Sequence, residues 1–133
     1  MKPSLKKGFS IIELIFVIAV LGILAAVAIP KLLDTRSSAL EATIKQDIST
    51  ISTSIQSYYM LNQKIEKISD AVNINTNTWD VDNSKVSFVS EGNECVSIEV
   101  ISNKLNIVIN QDSSKICKKL YESGIRDESY ELY

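Results

Sequence analysis

The 133-residue chain contains no histidine. That one absence removes the commonest general base, the usual nucleophile–histidine arrangements and most zinc sites. No nucleophile–base pair stands out among the remaining side chains, so no active site is expected. Prolines number two and cysteines two, and there is one tryptophan. Both cysteines, Cys95 and Cys117, fall in the second half of the chain. No internal repeat is visible, and the length suffices for one small domain beyond an N-terminal segment.

What the chain has is a lopsided distribution of apolar residues. From Phe9 to Ile29 only Ser10, Glu13 and Gly22 interrupt the apolar run. A helix of that length extends about 31 Å, the thickness of a bilayer's hydrocarbon layer. Lys2, Lys6 and Lys7 precede it with no acid among them, whereas Lys31 and Arg36 beyond it are mixed with Asp34 and Glu41. This asymmetry predicts a single-pass protein with a cytoplasmic N-terminus and an exported C-terminal domain. In an exported domain an even pair of cysteines reads as a disulfide, here Cys95–Cys117.

Residues 6–14, Lys-Lys-Gly-Phe-Ser-Ile-Ile-Glu-Leu, resemble the prepilin-type leader and cleavage site of type IV pilins and of the pseudopilins of type II secretion systems. The close likeness covers about residues 6–36, including the apolar run and Pro30. It implies cleavage by a prepilin peptidase between Gly8 and Phe9, N-methylation of Phe9, and a role for Glu13 in filament assembly. It also implies that the helix can loosen at Pro30, with Gly22 contributing. The partners it implies are other pilin or pseudopilin subunits, the peptidase, and the platform protein and assembly ATPase of a bacterial inner membrane. The work implied is a filament used for protein secretion or DNA uptake. The small sheet domain leans toward a pseudopilin or minor pilin.

Physical chemistry bears on the same residues. Glycine lets an extended backbone enter a peptidase cleft, and an acid within an apolar span is a functional candidate by default. The rival for this region is a secretory signal peptide cut after Ala26-Val27-Ala28, which would release a domain starting near Ile29. Glu13 and the Gly-Phe-x-x-x-Glu spacing stand against it. The rival for the whole chain is a membrane-tethered receptor for DNA or an exported substrate that builds no filament.

Past Pro30, Leu40, Ile44, Ile48, Ile51, Ile55 and Tyr58 recur at helical spacing, so the helix is predicted to continue to about residue 61. Proline need not end so long a helix. A polar connector is expected over residues 62–80, with one helical turn near 65–72. Strands are expected at 85–89, 94–101 and 105–109, the last two forming a hairpin through Ser102-Asn103-Lys104. Asp112 or Ser113 is expected to cap a short helix carrying Ile116, Cys117, Leu120 and Tyr121 on one face, with Gly124 ending it. The alternating tail 129–133 reads as an edge strand. One difficulty is that regular alternation points Cys95 away from the face carrying Val96, Ile98 and Val100.

The expected architecture is therefore α+β: a leader (1–8), a membrane or filament-core helix (9–30), its amphipathic continuation (31–61) and a small β-rich domain (62–133). No cofactor is expected. Asp80, Asp82, Glu91 and Glu94 are the only candidates for calcium, without EF-hand spacing, and read as solvated loop acids. Lys115, Lys118 and Lys119 read as an exposed helix face. Beyond Gly8 the chain carries 11 basic and 16 acidic side chains, a balance that disfavours direct binding of nucleic acid. Trp79 is expected to plug the core.

Overall fold

The computed structural model describes residues 8–132; Lys2, Lys6, Lys7 and Tyr133 lie outside the described residues. The chain divides into two units, one ending at Ser38 and one beginning at Ala39. A helix, α1 (Ile11–Asn62), contributes its first part to one unit and its second to the other. In the first unit every apolar side chain among the described residues is uncovered.

In the second unit α1 buries Ile44, Ile48, Ile51, Ser52, Ile55 and Tyr59. The stripe follows the expected period with two differences: Leu40 stays 41 % exposed, and Tyr59, four residues after Ile55, occupies the place expected of Tyr58. Each fully buried isoleucine contributes roughly 1.5–3 kcal/mol relative to exposure. The hydroxyl of Ser52, the polar member of the stripe, donates to the Ile48 carbonyl at 2.7 Å. Gln63, at φ 60°, ends the helix with its N–H on the Tyr59 carbonyl.

A four-residue helix, α2 (Ile68–Ala71), follows within the expected connector. The sheet then runs β1 (Trp79–Val81), β2 (Lys85–Ser90), β3 (Asn93–Ile101), β4 (Lys104–Ile109) and β5 (Glu128–Glu131), antiparallel and in sequence order. Strand β1 was not expected, because three residues are too few to display alternation. Ser90 pairs with Asn93 and Ile101 with Lys104, leaving two-residue turns, Glu91-Gly92 and Ser102-Asn103. All four turn residues have positive φ, between 49° and 79°, the backbone that matches the twist of a tight hairpin. Between β4 and β5 lies α3 (Lys115–Glu122). Its cap is Ser114, whose hydroxyl accepts from the Cys117 N–H, in place of Asp112 or Ser113. The Ser113 hydroxyl instead donates to the Glu94 carbonyl at 2.9 Å. Gly124, at φ 115°, closes α3: Ile125 N–H bonds the Leu120 carbonyl and Gly124 N–H that of Tyr121, the paired bonds of a Schellman end.

One face of the sheet, with Trp79, Val86, Phe88, Val96, Ile98, Leu105, Ile107 and Ile109, shares a core with the α1 stripe and with Ile116, Cys117 and Leu120 of α3. Trp79 is 2 % exposed and donates its indole N–H to Asp47 of α1 at 2.9 Å, with the Phe88 ring tilted against it at 5.9 Å. The other face carries Asp80, Lys85, Ser87, Ser97, Glu99, Asn106, Val108 and Ser129.

The Cys95 difficulty is resolved by a break in register. Phe88 pairs with Val96 but Val89 with Glu94, so Cys95 is an extra residue in β3. Such a bulge removes one step of the alternation, and both Cys95 and Val96 turn inward, at 1 % and 0 % exposure. Cys95 is there joined to Cys117 by a disulfide with a Cα–Cα distance of 5.6 Å.

Candidate functional site: the uncovered amino-terminal helix

Gly8, Phe9 and Ser10 precede α1 in non-helical backbone. Ser10 acts as the cap: its hydroxyl accepts from the Glu13 N–H at 3.1 Å and its carbonyl from the Leu14 N–H at 3.0 Å. Ser10-Ile11-Ile12-Glu13 is the S-x-x-E pattern of a capping box, in which a first-turn acid also suits the positive end of the helix dipole. Ser10 is thus the functional residue that sequence reasoning passed over, although the pattern was there to be read. Space around Gly8 is open, with nothing within 4 Å of an added Cβ.

Phe9 is 78 % exposed, Ile12 80 %, and Glu13 is exposed one turn into the apolar helix. The helix continues unbroken through Gly22 and Pro30. Pro30 has no N–H to give the carbonyl of Ala26, so one hydrogen bond of the ladder is missing there. Thr35 and Thr43 turn their hydroxyls onto the carbonyls of Lys31 and Ala39, each at 2.9 Å.

These residues form a terminus rather than a pocket. Gly8, Phe9 and Ser10 lead directly into, and Glu13 lies in the first turn of, a helix long and apolar enough to cross a membrane. What the helix carries there is one exposed carboxylate, Glu13, in an otherwise apolar sleeve.

The remaining candidates are scattered. Asp80 lies on β1, Asp82 follows it, Glu91 is in a turn, and Glu94 on β3 pairs with Lys85 at 3.0 Å. The hydrogen bond and charge of Glu94 raise the Lys85 pKa above its usual 10.5. Among the described residues no group of three or more acids, histidines or cysteines is placed to hold a metal ion. On α3, Lys115 and Lys118 are exposed and Lys119 half-buried.

Residues 3–29 match the prokaryotic N-terminal methylation motif. The chain is 30 % identical over 105 residues to the type IV major pilin protein PilE1 of Neisseria gonorrhoeae, covering 77 % of this chain and 62 % of that protein. It is 35 % identical over 60 residues to a fimbrial protein of Pseudomonas aeruginosa, covering 45 % and 39 %. Against the type IV major fimbrial protein FimA of Dichelobacter nodosus it is 33 % identical over 64 residues, covering 48 % and 40 %. The chain spans less than two thirds of the length of these curated relatives. No solved structure matches it significantly.

An N-terminal methylation motif followed by one long helix and a small antiparallel sheet defines a class of precursor with an apolar helical anchor. In its N-terminal motif and in sequence this chain is similar to the type IV pilin-like family. Proteins of that family are structural subunits and not enzymes.

Proposed function

We propose that this protein is a filament subunit, made as a precursor and cut between Gly8 and Phe9 by a prepilin-type peptidase. Phe9 is then N-methylated, and the first part of α1 holds the subunit in a bacterial inner membrane, N-terminus cytoplasmic and sheet domain exported. A platform protein and an assembly ATPase draw subunits into a helical filament. The short sheet domain favours a pseudopilin or minor pilin, of a secretion or DNA-uptake machine, over a major adhesive pilin.

The observation that carries this reading is the uncovered apolar first part of α1, bearing Glu13 in its first turn. Lipid covers apolar side chains but offers a carboxylate nothing, and such a charge deep in a bilayer costs about 2.5–3.5 kcal/mol on insertion scales. Near the end of the helix it reaches water. In a filament interior it needs a partner, since an unmatched buried ion costs several kcal/mol. Cleavage supplies one: the Phe9 amine, whose ordinary pKa lies near 7.7–8.0. Glu13 of one subunit pairs with the Phe9 amine of its neighbour and so sets the axial stagger. The missing hydrogen bond at Pro30, with Gly22 nearby, gives the helix a place to stretch as subunits pack. No cofactor takes part.

Mass spectrometry of membrane-extracted protein tests processing: a chain starting at methylated Phe9 is expected, and an N-terminus near Ile29 refutes it. Gly8→Val retains the leader. Glu13→Val is expected to insert and be cleaved yet be absent from sheared filaments when no wild-type copy is present. Normal incorporation refutes the pairing.

A further inference from the structure

The charges of the second unit are segregated. Residues 115–126 hold four basic side chains, Lys115, Lys118, Lys119 and Arg126, against one acid, Glu122; the rest of the unit holds five basic and thirteen acidic. Three of those five are matched to acids: Lys64 to Glu66, Lys85 to Glu94 and Lys104 to Glu131. Lys115, Lys118 and Lys119 make no ion pair among the described residues. Their side of α3 is the outer one, because Ile116, Cys117 and Leu120 occupy the core. Beside them the Arg126 guanidinium lies 3.6 Å above the Tyr121 ring, which fixes a fourth cation on this end of the unit.

On the other face of the sheet is a shallow hollow of about 410 Å³. Val108, 48 % exposed, forms its floor, with Asn106 and Ser129, hydrogen-bonded to each other at 2.7 Å, alongside. Glu99 stands on one rim and Asp127 on the other, whereas Glu128, paired with Ile107, turns its side chain to the core side. Asp127 accepts the Ile109 N–H, while the Glu99 carboxylate, with Lys85 opposite it on β2, accepts no hydrogen bond among the described residues. These acids do not gather closely enough for a metal ion. Spaced carboxylates around an apolar floor instead suit long side chains that are apolar along the stem and cationic at the tip.

We propose that the lysine face of α3 in one copy of this protein seats on the acidic sheet hollow of the next copy, with Lys118 reaching Glu99. This proposal rests on the filament reading above. The eight residues of α3 span about 12 Å, and the hollow crosses three strands at about 4.8 Å spacing, so the two patches are commensurate. Glu122, at the end of the lysine row, would repel a continuous phosphate backbone but is tolerated against a mixed face with Asn106 and Ser129. The two patches lie on different sides of the same unit, because α3 shares the core-facing side of the sheet and the hollow is on the opposite side. Such a contact is heterologous: it leaves a free patch of each kind after every addition and propagates as an open helical array.

The test uses the full chain in its own membranes and filaments. Two distinguishable copies are co-expressed, one with Glu99→Gln and one with Lys118→Gln, so a zero-length carbodiimide link between Lys118 and Glu99 can form only between copies. That linked peptide is expected. Lys118→Glu or Glu99→Lys alone should lower cross-linking between copies about tenfold, and the two reversals together should restore it to within about threefold. Copies that cross-link through α1 but give no Lys118–Glu99 peptide and ignore the reversals overturn this contact and leave the filament reading standing. No cross-link of any kind between copies overturns both. Retention on heparin or duplex DNA that is lost in Lys118→Glu, without the linked peptide, overturns it too and reassigns the lysine face to polyanions.

Discussion

Removing the Cys95–Cys117 bridge tests how the second unit is held together. The bridge closes a loop with a sequence separation of 22 between β3 and α3, and the chain-entropy relation assigns such a loop roughly 3 kcal/mol. Both sulfurs are buried, so Cys95→Ala with Cys117→Ala also removes packing. One heavy atom lost per site compares with isoleucine-to-valine truncation, about 0.5–1.5 kcal/mol each. The double variant should therefore lose roughly 4–6 kcal/mol and the reduced wild type roughly 3, the difference between them isolating the packing. With a urea slope of roughly 1–1.5 kcal/mol/M for a small domain, the midpoint of the reduced wild type falls by roughly 2–3 M. The assay is urea unfolding of detergent-solubilised full chain, followed by Trp79 fluorescence, with and without reductant. A shift below about 0.3 M on reduction would refute the reasoning, as would two titratable thiols in the unreduced exported protein.

Trp79→Phe keeps the aromatic contact with Phe88 but strips the indole donor from Asp47. It should cost about 1–3 kcal/mol, and adding Asp47→Asn should recover part of the loss; full additivity of the two changes would mean no bond joins them. Because Glu94 raises the Lys85 pKa, the pair's contribution is fully present below the ordinary lysine value and is lost as pH climbs through the raised one. Wild type should therefore lose stability over that alkaline window more steeply than Lys85→Met, as read by urea midpoints at successive pH; parallel curves would contradict the pairing.

The amino-terminal half of this protein was legible residue by residue. An apolar run long enough for a bilayer, a basic start, and Gly8, Phe9 and Glu13 at their spacings are properties of adjacent positions and need no partner elsewhere in the chain. The α1 stripe and the β3–β4 hairpin were equally local, because a period of 3.6 or 2 is written in consecutive side chains, although Lys104, expected in the turn, pairs with Ile101 as the first residue of β4. Strand β1 was hidden for the opposite reason: three residues become a strand only by pairing with β2 and by the reach of Trp79 to Asp47, 32 positions away. The choice of Ser114 as cap arose because the Ser113 hydroxyl was taken by the Glu94 carbonyl, another contact across the fold. Tyr59 rather than Tyr58 enters the core, a choice between adjacent residues made by the surface they meet. The inward turn of Cys95 required the extra residue opposite Phe88 and Val89, a register that belongs to two strands at once. Sequence by itself thus determined the long helix and its apolar first part, where interactions run between near neighbours. Only the tertiary structure decided which cysteine face is buried, which residues cap and pair, and where the charges of the sheet domain collect, because those depend on partners far away along the chain.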